Sequence, residues 1–287
     1  MRVLLATEPG TPDWPNEDFA AVAPGVAVLL DGAGSPHGRD GGCVHGVAWY
    51  ARTLGGLLTA GVAEAGRPLR EVLERGIEQV CAMHVGTCDL GHPATPSATV
   101  IMVRSAAGVC QPRQDEEIEY LVLCDSTLLL RPVDDSGAAD PEPRQVTDIR
   151  LHELSERLSP AYRRLPAGAP ERVTGRAEYL AQLDAARNRP GGYWVASTSP
   201  EAAEQAITGT EPLAGLSAIA LLSDGAVRLV DRYRLATWPQ ISATLARQGP
   251  AELIRQVRAA EEADADGRRW PRAKLRDDAT AIYWPVS

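Results

Sequence analysis

Short apolar runs at residues 3–6 and 26–30 predict two strands, and the second runs straight into Asp31-Gly32-Ala33-Gly34, where pairing must stop. The spacing then changes. Across residues 44–60 and 69–88 apolar positions recur three and four apart, as in Leu69, Val72, Leu73, Ile77, Val80, Cys81 and His84, which predicts two amphipathic helices over one face of a sheet. Three β-rich runs follow at 98–103, 118–124 and 127–131, a meander with a polar hairpin loop at 106–117. Residues 132–176 lose the pattern: Asp134-Asp135-Ser136-Gly137, Pro141-Glu142-Pro143, Pro160, Pro166 and Pro170 mark a variable insertion. Helical spacing returns at 171–188 and 238–263, the latter interrupted at Gly249-Pro250, with apolar strands at 218–222 and 279–283. Helices grouped in runs, without strict βαβ alternation, predict a layered α+β fold with helices outside the sheets.

Composition narrows the function classes. With 44% hydrophobic and 23% charged residues over 287 positions, the chain can bury a substantial core. A net charge of -9 argues against nucleic-acid or anionic-membrane partners, which need clustered Lys and Arg, and favours a divalent cation. No run of 18 apolar residues occurs, and the start reaches Glu8-Pro9 too soon for a signal-peptide core, which predicts a cytoplasmic protein. Five cysteines without a C-x-x-C pair predict free thiols, with neither a disulfide framework nor a zinc site.

The acids carry the chemistry. Leu30-Asp31-Gly32 and Ser223-Asp224-Gly225 each set Asp-Gly at the end of an apolar strand, where a carboxylate projects from a rigid base and glycine admits a close neighbour. Two such ends side by side would repel unless a hard cation neutralised them. Comparable acids stand at Asn16-Glu17-Asp18, Cys124-Asp125-Ser126 and Asp277-Asp278-Ala279-Thr280. Taken in order with Ser97-Ala98-Thr99, this set resembles the metal-dependent type 2C (PPM-type) protein serine/threonine phosphatases over residues 7–285, as a divergent member.

That resemblance implies a four-layer αββα sandwich of two antiparallel sheets flanked by helices, in one domain spanning 1–287. It implies two Mn²⁺ or Mg²⁺ ions at one edge, with Asp31 bridging them, the Gly32 carbonyl and Asp18 on one ion, and Asp224 and Asp277 on the other. Asp125 matches the position for a third ion, Glu17 would orient the attacking water, and Asp278 stands where the family often has asparagine. A hydroxide between the ions would attack phosphoserine or phosphothreonine of a protein substrate. Where many members grip phosphate with an arginine, this chain has Asp13, which leaves Arg39 and Arg228 as candidates to bind it.

Two other readings stay open: a phosphatase-like module that binds without efficient turnover, and a phosphatase of small metabolites. Cys81, His84 and Cys88 are expected to pack on one face of the second helix. Cys43 and His45 could line the pocket, but no partner that would orient a nucleophilic cysteine is visible.

Overall fold

The computed structural model describes residues 2–34, 41–64, 66–84, 86–105, 116–133, 140–158, 170–272 and 274–286. The strands are β1 (Leu4–Glu8), β2 (Phe19–Ala23), β3 (Val26–Ala33), β4 (Ser97–Ser105), β5 (Glu117–Leu123), β6 (Thr127–Pro132), β7 (Arg144–Val146), β8 (Ile207–Pro212), β9 (Leu216–Leu222) and β10 (Ala279–Pro285). The helices are α1 (Val47–Ala63), α2 (Leu69–Met83), α3 (Arg150–Leu158), α4 (Pro170–Ala186), α5 (Asp224–Asp231), α6 (Trp238–Gln248) and α7 (Pro250–Ala263). Two antiparallel sheets form, in the orders β1-β10-β9-β6-β7 and β2-β3-β4-β5-β8. Among the described residues no helix is long and apolar enough to cross a membrane.

Central strands are apolar throughout because both of their faces are covered. Ala27 and Leu29 of β3 point into the core between the sheets, while Val26, Val28 and Leu30 point at α1 and α2. The second sheet repeats the device: Ile219 and Leu221 of β9 face inward, and Ala218, Ala220 and Leu222 face α5, α6 and α7. Each fully buried Leu or Ile contributes about 1.5–3 kcal/mol relative to exposure, so these cores fix which residues reach the sheet ends. The result is the α+β, four-layer sandwich.

The segment read as an insertion is more integrated than its composition suggests. β7 pairs with β6 in the register Leu128↔Val146, and α3 packs beside α4 around Leu154, Tyr193 and Val195. The expected second helix also ends earlier, at Met83, so Cys88 lies beyond it.

Antiparallel register gathers one end of every central strand at a single lip. Phe19 pairs with Leu30, Gly32 with Ala98, Val100 with Leu123, Thr127 with Leu222, and Ala279 with Glu8. The chain passes from one sheet to the other at this lip twice, through residues 9–18 and 124–126. Cys124, with φ of 68°, makes the second passage tight by adopting the left-handed region that non-glycine residues rarely enter.

Candidate active site

Four of the predicted acids flank the strand ends that meet at the lip. Asp31 lies near the end of β3, Asp224 opens α5 directly after β9, Asp277 precedes β10, and Asp18 precedes β2. The two sheets touch here through a hydrogen bond: the Asp224 N–H, left free in the first turn of α5, donates to Asp31 Oδ2 at 3.1 Å. The Asp31 N–H in turn donates to Thr99 Oγ1 at 3.3 Å, and Thr99 is hydrogen-bonded to Ser126 at 2.5 Å.

The two glycines after the aspartates are required by close approach. A Cβ on Gly32 would overlap the Glu17 carbonyl oxygen and Val47 Cγ1, and one on Gly225 would overlap the Asp278 carbonyl oxygen. Gly32 thereby lets the Asn16–Asp18 segment lie against Asp31. Gly225 lets α5 start against β10.

The electrostatics are those of a site built for positive charge. Asp18 is 6% exposed, and neither of its carboxylate oxygens has a hydrogen-bond partner. Burial pushes its carboxyl up to about 8, opposed by the nearby Thr280 hydroxyl and reinforced by Asp278, Asp224 and Asp277. Burial and then the charge of Asp224 raise Asp31 well above the usual carboxylate range, with Asp18, Asp277 and Asp125 contributing. Asp125, at the sheet passage, is pushed up to about 7 by burial and Asp224. Burial also lifts Glu17 to about 7, opposed by Lys274 and reinforced by Asp278 and Asp277. Asp224 is raised by burial and by Asp277. Buried carboxylates that lack donors are costly unless a cation joins them, and two orphaned oxygens at Asp18 satisfy that test for a metal site.

Asp277 already has cationic neighbours. Lys274, the only lysine, donates to its Oδ1 at 2.8 Å, and Arg228 to its Oδ2 at 2.7 Å. Arg228 is therefore engaged within the protein. It was a candidate for gripping substrate phosphate, but it is 7% exposed and its other nitrogen binds Glu261 Oε1 at 3.1 Å. Glu261 is held from its other side by Arg258, which donates at 2.7 Å and reaches Glu8 at 3.0 Å. This buried network fixes the orientation of Asp277, leaving the guanidinium no fork free for phosphate. Arg39, the other candidate, lies outside the described residues.

Asp278 has a role that the pattern did not reveal. Its two oxygens accept the N–H groups of Gly10 at 2.7 Å and Glu17 at 2.6 Å. An asparagine could serve only one of these donors through its oxygen, so the acid here pins the passage between the sheets with both. Ser223 adds a second clasp: its Oγ accepts the Thr280 N–H at 2.9 Å, joining the ends of β9 and β10. Away from the lip, a cleft of about 770 Å³ is lined by Val62, Leu69, Arg70 and Tyr120, and its one acid, Glu119, pairs with Arg104.

No protein-family model and no curated protein matches the sequence. Solved structures do match in three dimensions. The serine/threonine phosphatase Stp1 from Staphylococcus aureus superposes with a TM-score of 0.57 at 13% identity, covering 99% of this chain and 94% of that one. The PPM Ser-Thr phosphatase MsPP from Mycobacterium smegmatis, solved with cacodylate, gives 0.54 at 17% identity, covering 100% and 99%. The serine/threonine phosphatase PstP/Ppp from Mycobacterium tuberculosis gives 0.56 at 15% identity, covering 99% and 97%. Over its whole length, the chain has the fold of the PPM-type serine/threonine phosphatases.

Proposed function

We propose that this protein is a divalent-metal-dependent phosphomonoester hydrolase acting on phosphoserine and phosphothreonine of proteins, as one phosphatase-type domain with a variable segment at 132–176. The observation that carries this reading is Asp18: a buried carboxylate with two unpartnered oxygens, facing Asp31, Asp224 and Asp277. Asp18, Asp31, the Gly32 carbonyl, Asp224 and Asp277 would hold two Mn²⁺ or Mg²⁺ ions, and Asp125 a third. Oxygen donors alone suit these hard ions better than zinc. Such an ion pair, when bound, supplies hydroxide near neutral pH and neutralises the charge of a phosphate undergoing in-line displacement.

The chain's own residues arrange the rest. Glu17, anchored through its N–H to Asp278, would orient the attacking water. Arg228 positions Asp277 through the Glu261 network, and Lys274 offsets the acids until an ion arrives. The test is turnover of p-nitrophenyl phosphate and of phosphopeptides with Mn²⁺, set against Asp31→Asn, Asp224→Asn and excess EDTA. Activity is expected only in the unaltered protein with metal; hydrolysis that persists in both variants or in EDTA would falsify this reading.

One observation favours a second reading, a module that binds phosphorylated ligands with little turnover: Asp13 stands in the gripping position and Arg228 is consumed by Asp277. Calorimetry showing metal uptake without hydrolysis across a phosphopeptide panel would select it.

A further inference from the structure

Away from the acidic lip, Cys43, His45, His84 and Cys88 converge, with one ligand atom from each lying within 4.8 Å of all the others. From this geometry we propose a second metal centre, in which these four side chains bind one Zn²⁺ as a structural staple. The sequence suggested packing instead, since Cys81, His84 and Cys88 were expected to share a helix face. The helix ends at Met83, and His84 and Cys88 reach the segment between β3 and α1 that carries Cys43 and His45.

The donors are arranged as ligands. Cys43 Sγ lies 3.3 Å from His84 Nε2 and 3.7 Å from His45 Nδ1, and Cys88 Sγ lies 3.4 Å from that same His45 nitrogen. A tetrahedral zinc site with bonds of about 2.0–2.3 Å has ligand separations of roughly 3.3–3.8 Å, so these edges already have the required length. The tautomer of His84 is fixed. Its Nδ1 lies 2.8 Å from the Val80 carbonyl oxygen, which can only accept, so Nδ1 carries the proton and Nε2 turns its lone pair toward Cys43. A backbone carbonyl on the far nitrogen is the usual support for a metal-bound imidazole.

His45 faces the opposite difficulty, because one ring nitrogen meets two sulfur atoms and can make only one good hydrogen bond at a time. A cation between the four donors satisfies all of them together. Both rings are held in place by Trp49, which stacks on His45 at 4.3 Å and meets His84 edge-on at 4.8 Å. The backbone agrees: the Asp89 N–H donates to the Gly42 carbonyl at 2.7 Å, and the Val44 N–H to Cys88 Sγ at 3.4 Å.

Two thiolates and two neutral imidazoles favour Zn²⁺, and two thiolates balance its charge. As the Zn–S bonds form, the two thiol S–H bonds lose their protons to solvent and zinc gives up its water ligands. The staple would join the segment before α1 to the end of α2, a few residues from Val47, which abuts Gly32 at the acidic lip. The proposal stands independently of the phosphatase reading, because it uses none of the acids.

The test uses the full chain loaded with Zn²⁺ alone, passed over a desalting column and assayed for metal. One equivalent per chain is expected, falling to less than about a tenth in the double variant Cys43→Ser, Cys88→Ser. Asp31→Asn should keep its zinc, which separates this centre from the acidic one. Independently of how the serine variant folds, the unaltered protein loaded with Co²⁺ should show the intense visible bands of a tetrahedral site and sulfur-to-cobalt charge transfer. Any of three results overturns the proposal: no zinc retained and no such bands, zinc retained by the double variant, or a Cys43–Cys88 disulfide in protein purified under reducing conditions.

Discussion

The acidic lip and the thiol–imidazole cluster both gather groups able to bind a cation, and they differ in how they express it. At the lip, carboxylates can relieve their repulsion only by taking up protons or a cation, and Asp18 stays buried with neither oxygen in a well-formed hydrogen bond. In the cluster, neutral thiols and imidazoles can donate to one another, so no orphaned atom marks the site. Carboxylates suited to a hard ion thus stand out by their electrostatic cost, and thiols and imidazoles suited to a softer one by distance alone.

Removing donors from either site should break this contrast most sharply. Asp31→Asn or Asp224→Asn should lower kcat/KM with Mn²⁺ by about 10³-fold or more, with zinc content unchanged, measured by steady-state kinetics beside metal analysis. In the cluster, Cys43→Ser with Cys88→Ser should lower the melting temperature of the zinc-loaded protein by about 5–10 °C. If activity and stability fall together in both sets of variants, the two sites are not separate.

Smaller effects sharpen the picture of the lip. Mn²⁺ at about 100 times its dissociation constant should add about 2.7 kcal/mol, a rise of about 5 °C in a scanning-fluorimetry melt. Lys274→Ala removes a competing cation from Asp277, so the Mn²⁺ concentration for half-maximal activity should fall about three-fold. An unchanged or higher requirement would mean that Lys274 does not compete with the metal for Asp277. Asp18→Asn should abolish the metal response yet raise the metal-free melting point by about 2 °C, because an amide need not take up a proton in order to be buried at neutral pH.

Legibility in the sequence followed burial. Central strands such as β3, β4 and β9 have both faces covered and read as apolar runs. β2, β7 and β8 did not stand out, and all three are edge strands; β8, with the sequence Ile-Thr-Gly-Thr-Glu-Pro, is largely exposed. Helix α5 was hidden because Asp224-Gly225 reads as a turn, although Ala226, Val227 and Leu229 bury one face of a helix. The acids of the lip were legible as an ordered set because each sits beside a strand end. Sequence spacing could not show that Glu261, 33 residues away, holds the Arg228 guanidinium. The cysteine–histidine cluster was invisible for a related reason: Cys43-x-His45 and His84-x-x-x-Cys88 are joined only by the packing of α1 against α2.

Residues 18 and 277 come from opposite ends of the chain and meet at one lip. The proposed ion pair, joined through Asp31, would link the two and work as a lock on both segments. Neither the leading segment nor the last strand could peel away before the ion left, and so the speed at which a protease clips the ends would report how long the metal stays.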